Sequence, residues 1–165
     1  MIDLINKWIV LPGLIISFIY FFNLLRKIPL PGLLHLYTMA YMYMFGKSVQ
    51  QLMIGPWYIR WYLADIGFVP IFAFIPLFHY LTSSKVKWTF SKMLKYSRNS
   101  ATIFFLVAVL QEIISLHIGT IKALRGEIPS VNAARGDYID IVCYMVSYIA
   151  VQTILGRMAK APVQE

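Results

Sequence analysis

Apolar residues along this chain come in long blocks separated by short polar stretches. Each block is of the order needed to carry a helix across about 30 Å of hydrocarbon. Five blocks can be drawn. The first runs from Trp8 to Leu25 and stops at Arg26-Lys27, where Pro29 and Pro31 forbid the helix to continue. The second begins at Gly32 and reaches about Gln50, although Lys47, Gln50 and Gln51 interrupt its end. If it does not cross, the chain has four spans rather than five. The third, Tyr58 to Leu81, contains Pro70 and Pro76, which predict a kink relieved by neighbouring helices. The fourth covers Ala101 to Gly119 and the fifth Tyr138 to Leu155. The expected fold is an all-α, polytopic transmembrane helix bundle forming one domain over residues 1–165, without internal repeats.

The first block resembles a signal peptide at its start, following Lys7. It lacks a small-x-small cleavage site and is bulky from Phe18 to Leu25, so it reads as an uncleaved span. Between the third and fourth blocks, residues 82–100 carry Lys85, Lys87, Lys92, Lys95 and Arg98. Val86, Phe90, Met93 and Leu94 fall there at helical spacings. Two readings stand: a short amphipathic helix on an anionic membrane surface, or a solvated basic loop.

Composition supports the membrane setting. Of 165 residues, 59% are apolar and 13% charged, against about 45–50% and about 25% in soluble domains. The formal charge of +8 would raise nucleic acid as a partner in a soluble chain. Here no recognition motif accompanies it, and short cytoplasmic loops of membrane proteins collect Lys and Arg. Membrane lipids are the expected partners, with other membrane subunits or further copies of the chain as the alternative, and no nucleic acid.

Five spans place Arg26, Lys27, the five cations of residues 82–100, Arg157 and Lys160 on one side. Lys7, Lys47, Arg60, Lys122, Arg125 and Arg135 fall on the other. Nine cations against six put the N-terminus outside and the C-terminus in the cytoplasm. Trp8, Trp57, Trp61 and Trp88 sit at or near span ends, where amphipathic rings settle at headgroup level.

The acidic residues are the most informative. Asp3, Glu127 and Glu165 fall in loops or tails, whereas Asp65, Glu112, Asp137 and Asp140 lie within or at the ends of the third, fourth and fifth spans. All four fall toward the outer side. Helix rise puts Asp65 about 6 Å and Glu112 about 10 Å below the surface, where a carboxyl pairs, meets water or carries a proton. Asp137, Asp140, Tyr144 and Ser147 form one stripe on the fifth span; Glu112, Ser115 and Gly119 share a face of the fourth, with Gln111 beside it. Arg60, His117, Lys122, Arg125 and Arg135 are candidate partners. An outward polar cleft made by Arg60, Asp65, Glu112, Arg135, Asp137 and Asp140 is one reading. Helix capping is the other, and it suits Asp137 best because that residue sits at a helix start.

Other chemistry is thin. His35, His79 and His117 lie on different spans without metal-ligand spacing. Cys143 is the single cysteine, inside an apolar run, which rules out an internal disulfide. Phosphate loops, zincin motifs and nucleophile elbows are missing from the sequence, so neither a cofactor nor an enzymatic activity is expected.

The segment Arg135-Gly136-Asp137-Tyr138-Ile139-Asp140-Ile141-Val142, preceded by Glu112 near the end of a span, resembles the VanZ-like family of small bacterial membrane proteins. In that family the last spans carry a similar Glu and an acidic D-x-x-D opening an apolar helix. Glu112, Asp137 and Asp140 match, with Arg135 as a fourth position, over the last third of the chain. Two departures stand out: the glutamine expected after the glutamate is Gln111, before it, and Cys143, Tyr144 and Ser147 replace the usual Asn and Gly. The resemblance implies a bacterial cytoplasmic-membrane protein concerned with envelope components or glycopeptide susceptibility. Binding of an envelope-derived lipid or peptide group, a structural role in a larger membrane complex, and a part in proton-coupled transport are the functions that follow.

Overall fold

The computed structural model describes residues 2–52, 56–83, 88–125 and 138–160, with the side chains of 2–11, 57–61 and 123–124 outside the description. The secondary structure of these residues is helical throughout: α1 (Ile2–Leu25), α2 (Leu33–Gln51), α3 (Trp57–Thr82), α4 (Phe90–Leu124) and α5 (Tyr138–Lys160). Parts of α3, α4 and α5, over Tyr62–Thr82, Phe90–Lys122 and Tyr138–Lys160, are long and apolar enough to cross a membrane. In α1 the apolar stretch Pro12–Leu25 is shorter. Ile16, Tyr20, Ile103, Leu106, Leu110, Val146 and Ile149 are each more than half exposed. Such a surface is not tolerated in water but is the ordinary lipid-facing side of a membrane protein.

Pairwise contacts give the direction of each helix. The Tyr37 hydroxyl donates to the Phe18 carbonyl (3.3 Å), and the Ser17 and Tyr41 hydroxyls lie 2.9 Å apart, so α2 runs back along α1. Between them Gly32, at φ +84°, supplies the left-handed turn that Pro29 and Pro31 lead into. Helix α3 returns along α2 at very close range. A Cβ added to Gly67 would fall 2.6 Å from Tyr43 Cα, and one added to Gly46 would fall 2.8 Å from Ala64 Cα. Small residues let two helix backbones approach, which is how packing replaces the hydrophobic drive that lipid does not provide.

Helix α4 packs antiparallel to α3, with Phe72 stacked on Phe104 (centroids 3.5 Å) and Phe68 edge-on to Phe104. Here α3 runs unbroken through Pro70 and Pro76. Pro76 has no N–H to offer the carbonyl four residues before it, that of Phe72. The Ser100 hydroxyl of α4 donates to that carbonyl at 2.9 Å. A neighbouring helix thus satisfies the freed backbone group, as membrane burial demands. Helix α5 packs antiparallel to α4 through Arg98–Gln152 and Thr102–Tyr148, and parallel to α3 through Asp65–Tyr144.

The bundle is therefore up-and-down. One end gathers the starts of α1, α3 and α5 with the ends of α2 and α4; the other gathers the opposite termini. Fully buried side chains concentrate toward the second end, where Leu25, Leu33, Leu36, Leu77, Met93, Leu155 and Met158 fill the core.

Several boundaries differ from expectation: α1 starts at Ile2 rather than Trp8, α5 runs to Lys160 rather than Leu155, and α4 is longer at both ends. Helix α4 starts at Phe90 rather than near residue 101 and continues past Gly119 to Leu124. The Thr89 hydroxyl accepts the backbone N–H of Lys92 (3.3 Å), an N-cap contact that starts the helix. Met93 and Leu94 are buried in the bundle, so residues 90–100 are neither a loop nor a helix resting on the membrane surface. They are the first turns of α4. At 35 residues, α4 is about 52 Å long and exceeds the hydrocarbon thickness.

Candidate functional site

Helix α3 enters the bundle at Trp57 and places Asp65 two turns inside. Helix α5 starts beside it, with Asp140 in the first turn and Tyr144 one turn further on the same face. The Tyr144 hydroxyl donates to Asp65 Oδ1 at 3.1 Å. The carboxyl group of Asp140 also comes within hydrogen-bonding reach of that of Asp65. Two carboxyl groups placed in this way can hydrogen-bond to each other when one of them carries a proton. Glu112 of α4 and Asp140 both act electrostatically on Tyr144, and Lys47 of α2 acts on Asp65. Ionisable groups of four helices thus act on the Asp65–Tyr144 pair or form part of it.

The site is neither sealed nor flat. Asp65, Glu112 and Asp140 are half-buried, whereas Tyr144 is 7% exposed and packs against Phe68 (centroids 5.7 Å). Below Tyr144, Ser147 is completely buried and returns its hydroxyl to the Tyr144 carbonyl at 3.0 Å. The polar stripe of α5 therefore faces inward and closes beneath the carboxyl groups. Gly119 is buried and Ser115 half-buried on the face of α4 that carries Glu112, while Gln111 is exposed.

Of the residues singled out by sequence, Asp65, Glu112 and Asp140 come together. Arg60 lies in the first turn of α3 with its side chain outside the description, and Arg135 and Asp137 lie outside the described residues. Lys85 and Lys87 also lie outside them, while Lys92, Lys95 and Arg98 are exposed on α4 at the opposite end of the bundle.

Two members of the cluster are not marked as site residues by the sequence. Tyr144 belonged to the stripe, but its reach to Asp65 depends on how α5 sits against α3. Lys47 figures as an interruption of an apolar block and as one of the outer-side cations, yet a cation inside such a block is itself a signal that it faces something polar.

Among the described residues no group of three or more His, Cys, Asp and Glu side chains is arranged to hold a metal ion. His35, His79 and His117 are exposed on α2, α3 and α4. Chemically, the cluster can hold a proton between carboxyl groups or present them to a cationic group from the open end. No protein-family model matches the chain, and neither a curated protein nor a solved structure is similar to it.

Proposed function

We propose that this is a small bacterial cytoplasmic-membrane protein of VanZ-like type whose carboxyl cluster forms an outward-facing polar cleft for an envelope-derived lipid or peptide group. The observation that carries the reading is the convergence of Asp65, Asp140 and Glu112 from three helices around Tyr144. Carboxyl groups retained within an apolar bundle cost several kcal/mol without compensation, and their half-exposed position leaves them open to a ligand. An amine on the bound group would meet the carboxylates, with Lys47 at the margin for an acidic portion. The outward orientation rests on the excess of cations at the other end.

The test is to purify the protein from its own membranes in mild detergent and identify co-purifying envelope components by mass spectrometry. Wild type should carry a bound lipid or peptide that Asp65→Asn and Glu112→Gln each reduce by about tenfold, at unchanged membrane abundance. Equal retention by wild type and both variants contradicts the cleft, and loss of abundance instead points to a structural role.

The approach of Asp140 to Asp65 favours a second reading, a component of proton-coupled transport, because paired carboxyl groups in a bundle can relay protons. Vesicles containing the protein would then take up protons when a substrate gradient is imposed. Absence of such uptake across candidate substrates removes this reading and leaves the first untouched.

A further inference from the structure

The end opposite the carboxyl cluster holds a second polar feature. A groove of about 460 Å³ runs between the first half of α4 and the last half of α5, and Lys95, Arg98, Asn99, Thr102, Tyr148 and Gln152 line it. Its size lies in the roughly 300–1,000 Å³ range of sites that hold small molecules. Its polar wall is built and not incidental. Arg98 Nε donates to Gln152 Oε1 at 3.0 Å, Gln152 Nε2 lies 3.5 Å from both Thr102 Oγ1 and the Arg98 carbonyl, and the Thr102 and Tyr148 hydroxyls are 3.1 Å apart. This chain of contacts fixes the Arg98 guanidinium plane with one of its five N–H donors.

Charge at this groove has one sign. None of the seven acidic residues of the chain lies in 66–111 or 141–160; Glu165 lies outside the described residues. Lys95 and Arg98 therefore face no carboxylate from α3, α4 or α5 among the described residues of this end. Lys92, Arg157 and Lys160 are exposed around them and strengthen the positive field.

The position along α4 bears on which anion this is. From Ala101 to Ile121 the helix rises about 30 Å, one hydrocarbon thickness. With the hydrocarbon edge set at Ala101, after the last cation of this part of α4, Arg98 falls one turn outside it, at the level expected of lipid phosphates. Exposed Trp88, stacked on exposed Tyr96 (centroids 4.8 Å), marks the same headgroup level.

We infer that the α4–α5 groove binds the phosphate of an anionic membrane phospholipid through Lys95 and Arg98. Arg98 offers planar donors suited to phosphate oxygens, Lys95 adds a point charge, and the lipid's net charge complements an acid-free wall. The inference does not depend on the carboxyl cluster having a ligand.

Delipidated protein in detergent is titrated with short-chain phosphatidylglycerol, phosphatidylcholine of the same chains, and inorganic phosphate, with binding read by native mass spectrometry. Phosphatidylglycerol should bind about tenfold more tightly than phosphatidylcholine, and the Lys95→Gln/Arg98→Gln pair should abolish that preference. Gln152→Glu, which keeps the arginine but gives it an internal carboxylate, should abolish it too and guards against a variant that merely fails to fold. Lys92→Gln/Lys160→Gln, which removes equal charge outside the groove, should leave the preference intact. Equal binding of the two lipids by wild type overturns the inference. So does equal loss in the Lys92/Lys160 variant, which would make the effect one of general surface charge. Displacement of phosphatidylglycerol by equimolar inorganic phosphate overturns the lipid as the source.

Discussion

The two ends of this bundle are held together and charged in different ways. At one end Lys47, Asp65, Glu112 and Asp140 mix signs around Tyr144, and the helices there meet backbone to backbone at Gly46 and Gly67. At the other, the described charges are cations alone, set above a core of Leu25, Leu77, Met93, Leu155 and Met158. A membrane protein needs something other than hydrophobic burial to choose its helix partners. This chain uses close backbone approach of α2 and α3 where it carries carboxyl groups, and a core of apolar side chains beside the Arg98–Gln152 and Thr102–Tyr148 contacts where it carries cations. The difference teaches that the polar cluster is not stranded in the bundle: it sits where the fold is tied by geometry that tolerates polar neighbours.

The largest expected effect breaks that tie. Gly67→Leu drives a side chain into the Tyr43 backbone, which cannot move aside as a flexible side-chain tip would. It should cost about 3 kcal/mol or more by reversible unfolding in mixed micelles. Gly13→Leu, with nothing within 4 Å, should stay within about 0.5 kcal/mol. Similar losses at both positions would refute close packing of α2 on α3.

A smaller effect separates polarity from packing in the cluster. Asp65→Leu leaves the Tyr144 hydroxyl without its acceptor and should cost about 1–3 kcal/mol. Asp65→Asn keeps an acceptor oxygen and should cost less than half of that. Equal costs for the two would show that the carboxyl position is held by shape alone.

The smallest effect lies between the ends. Ser100→Ala should cost about 1 kcal/mol because the Phe72 carbonyl loses its donor opposite Pro76. In a Pro76→Ala background, where the backbone N–H returns, the same change should cost close to nothing. A double-mutant cycle measures the difference, and additivity of the two changes would remove Ser100 from that role.

Much of this fold is legible along the chain. The apolar blocks and the Pro29–Gly32 break mark helices and the first turn, and alternating helix direction brings Asp65, Glu112 and Asp140 to one end without any knowledge of packing. The start of α4 is harder, because Lys92, Lys95 and Arg98 interleave with Met93 and Leu94 and the same pattern suits a helix on the membrane surface. Only the burial of those two apolar residues decides it. Lys47 is harder still. Its approach to Asp65 depends on the register between α2 and α3, which the contacts at Gly46 and Gly67 set in three dimensions. The groove at Arg98 likewise pairs residues more than fifty positions apart, and a residue's own neighbours carry no trace of that.

Cysteine accessibility tests the central claim, that the two unlike ends lie on opposite sides of a membrane with the carboxyl cluster outward. In a Cys143→Ser background, single cysteines replace Lys122, exposed near the end of α4 by the cluster, and Ser91, exposed in its first turn. Intact cells are then treated with a membrane-impermeant maleimide. The account predicts labelling of Lys122→Cys in intact cells and of Ser91→Cys only after permeabilisation. The reverse pattern would contradict the proposed orientation, and labelling of both without permeabilisation would contradict a membrane-crossing α4.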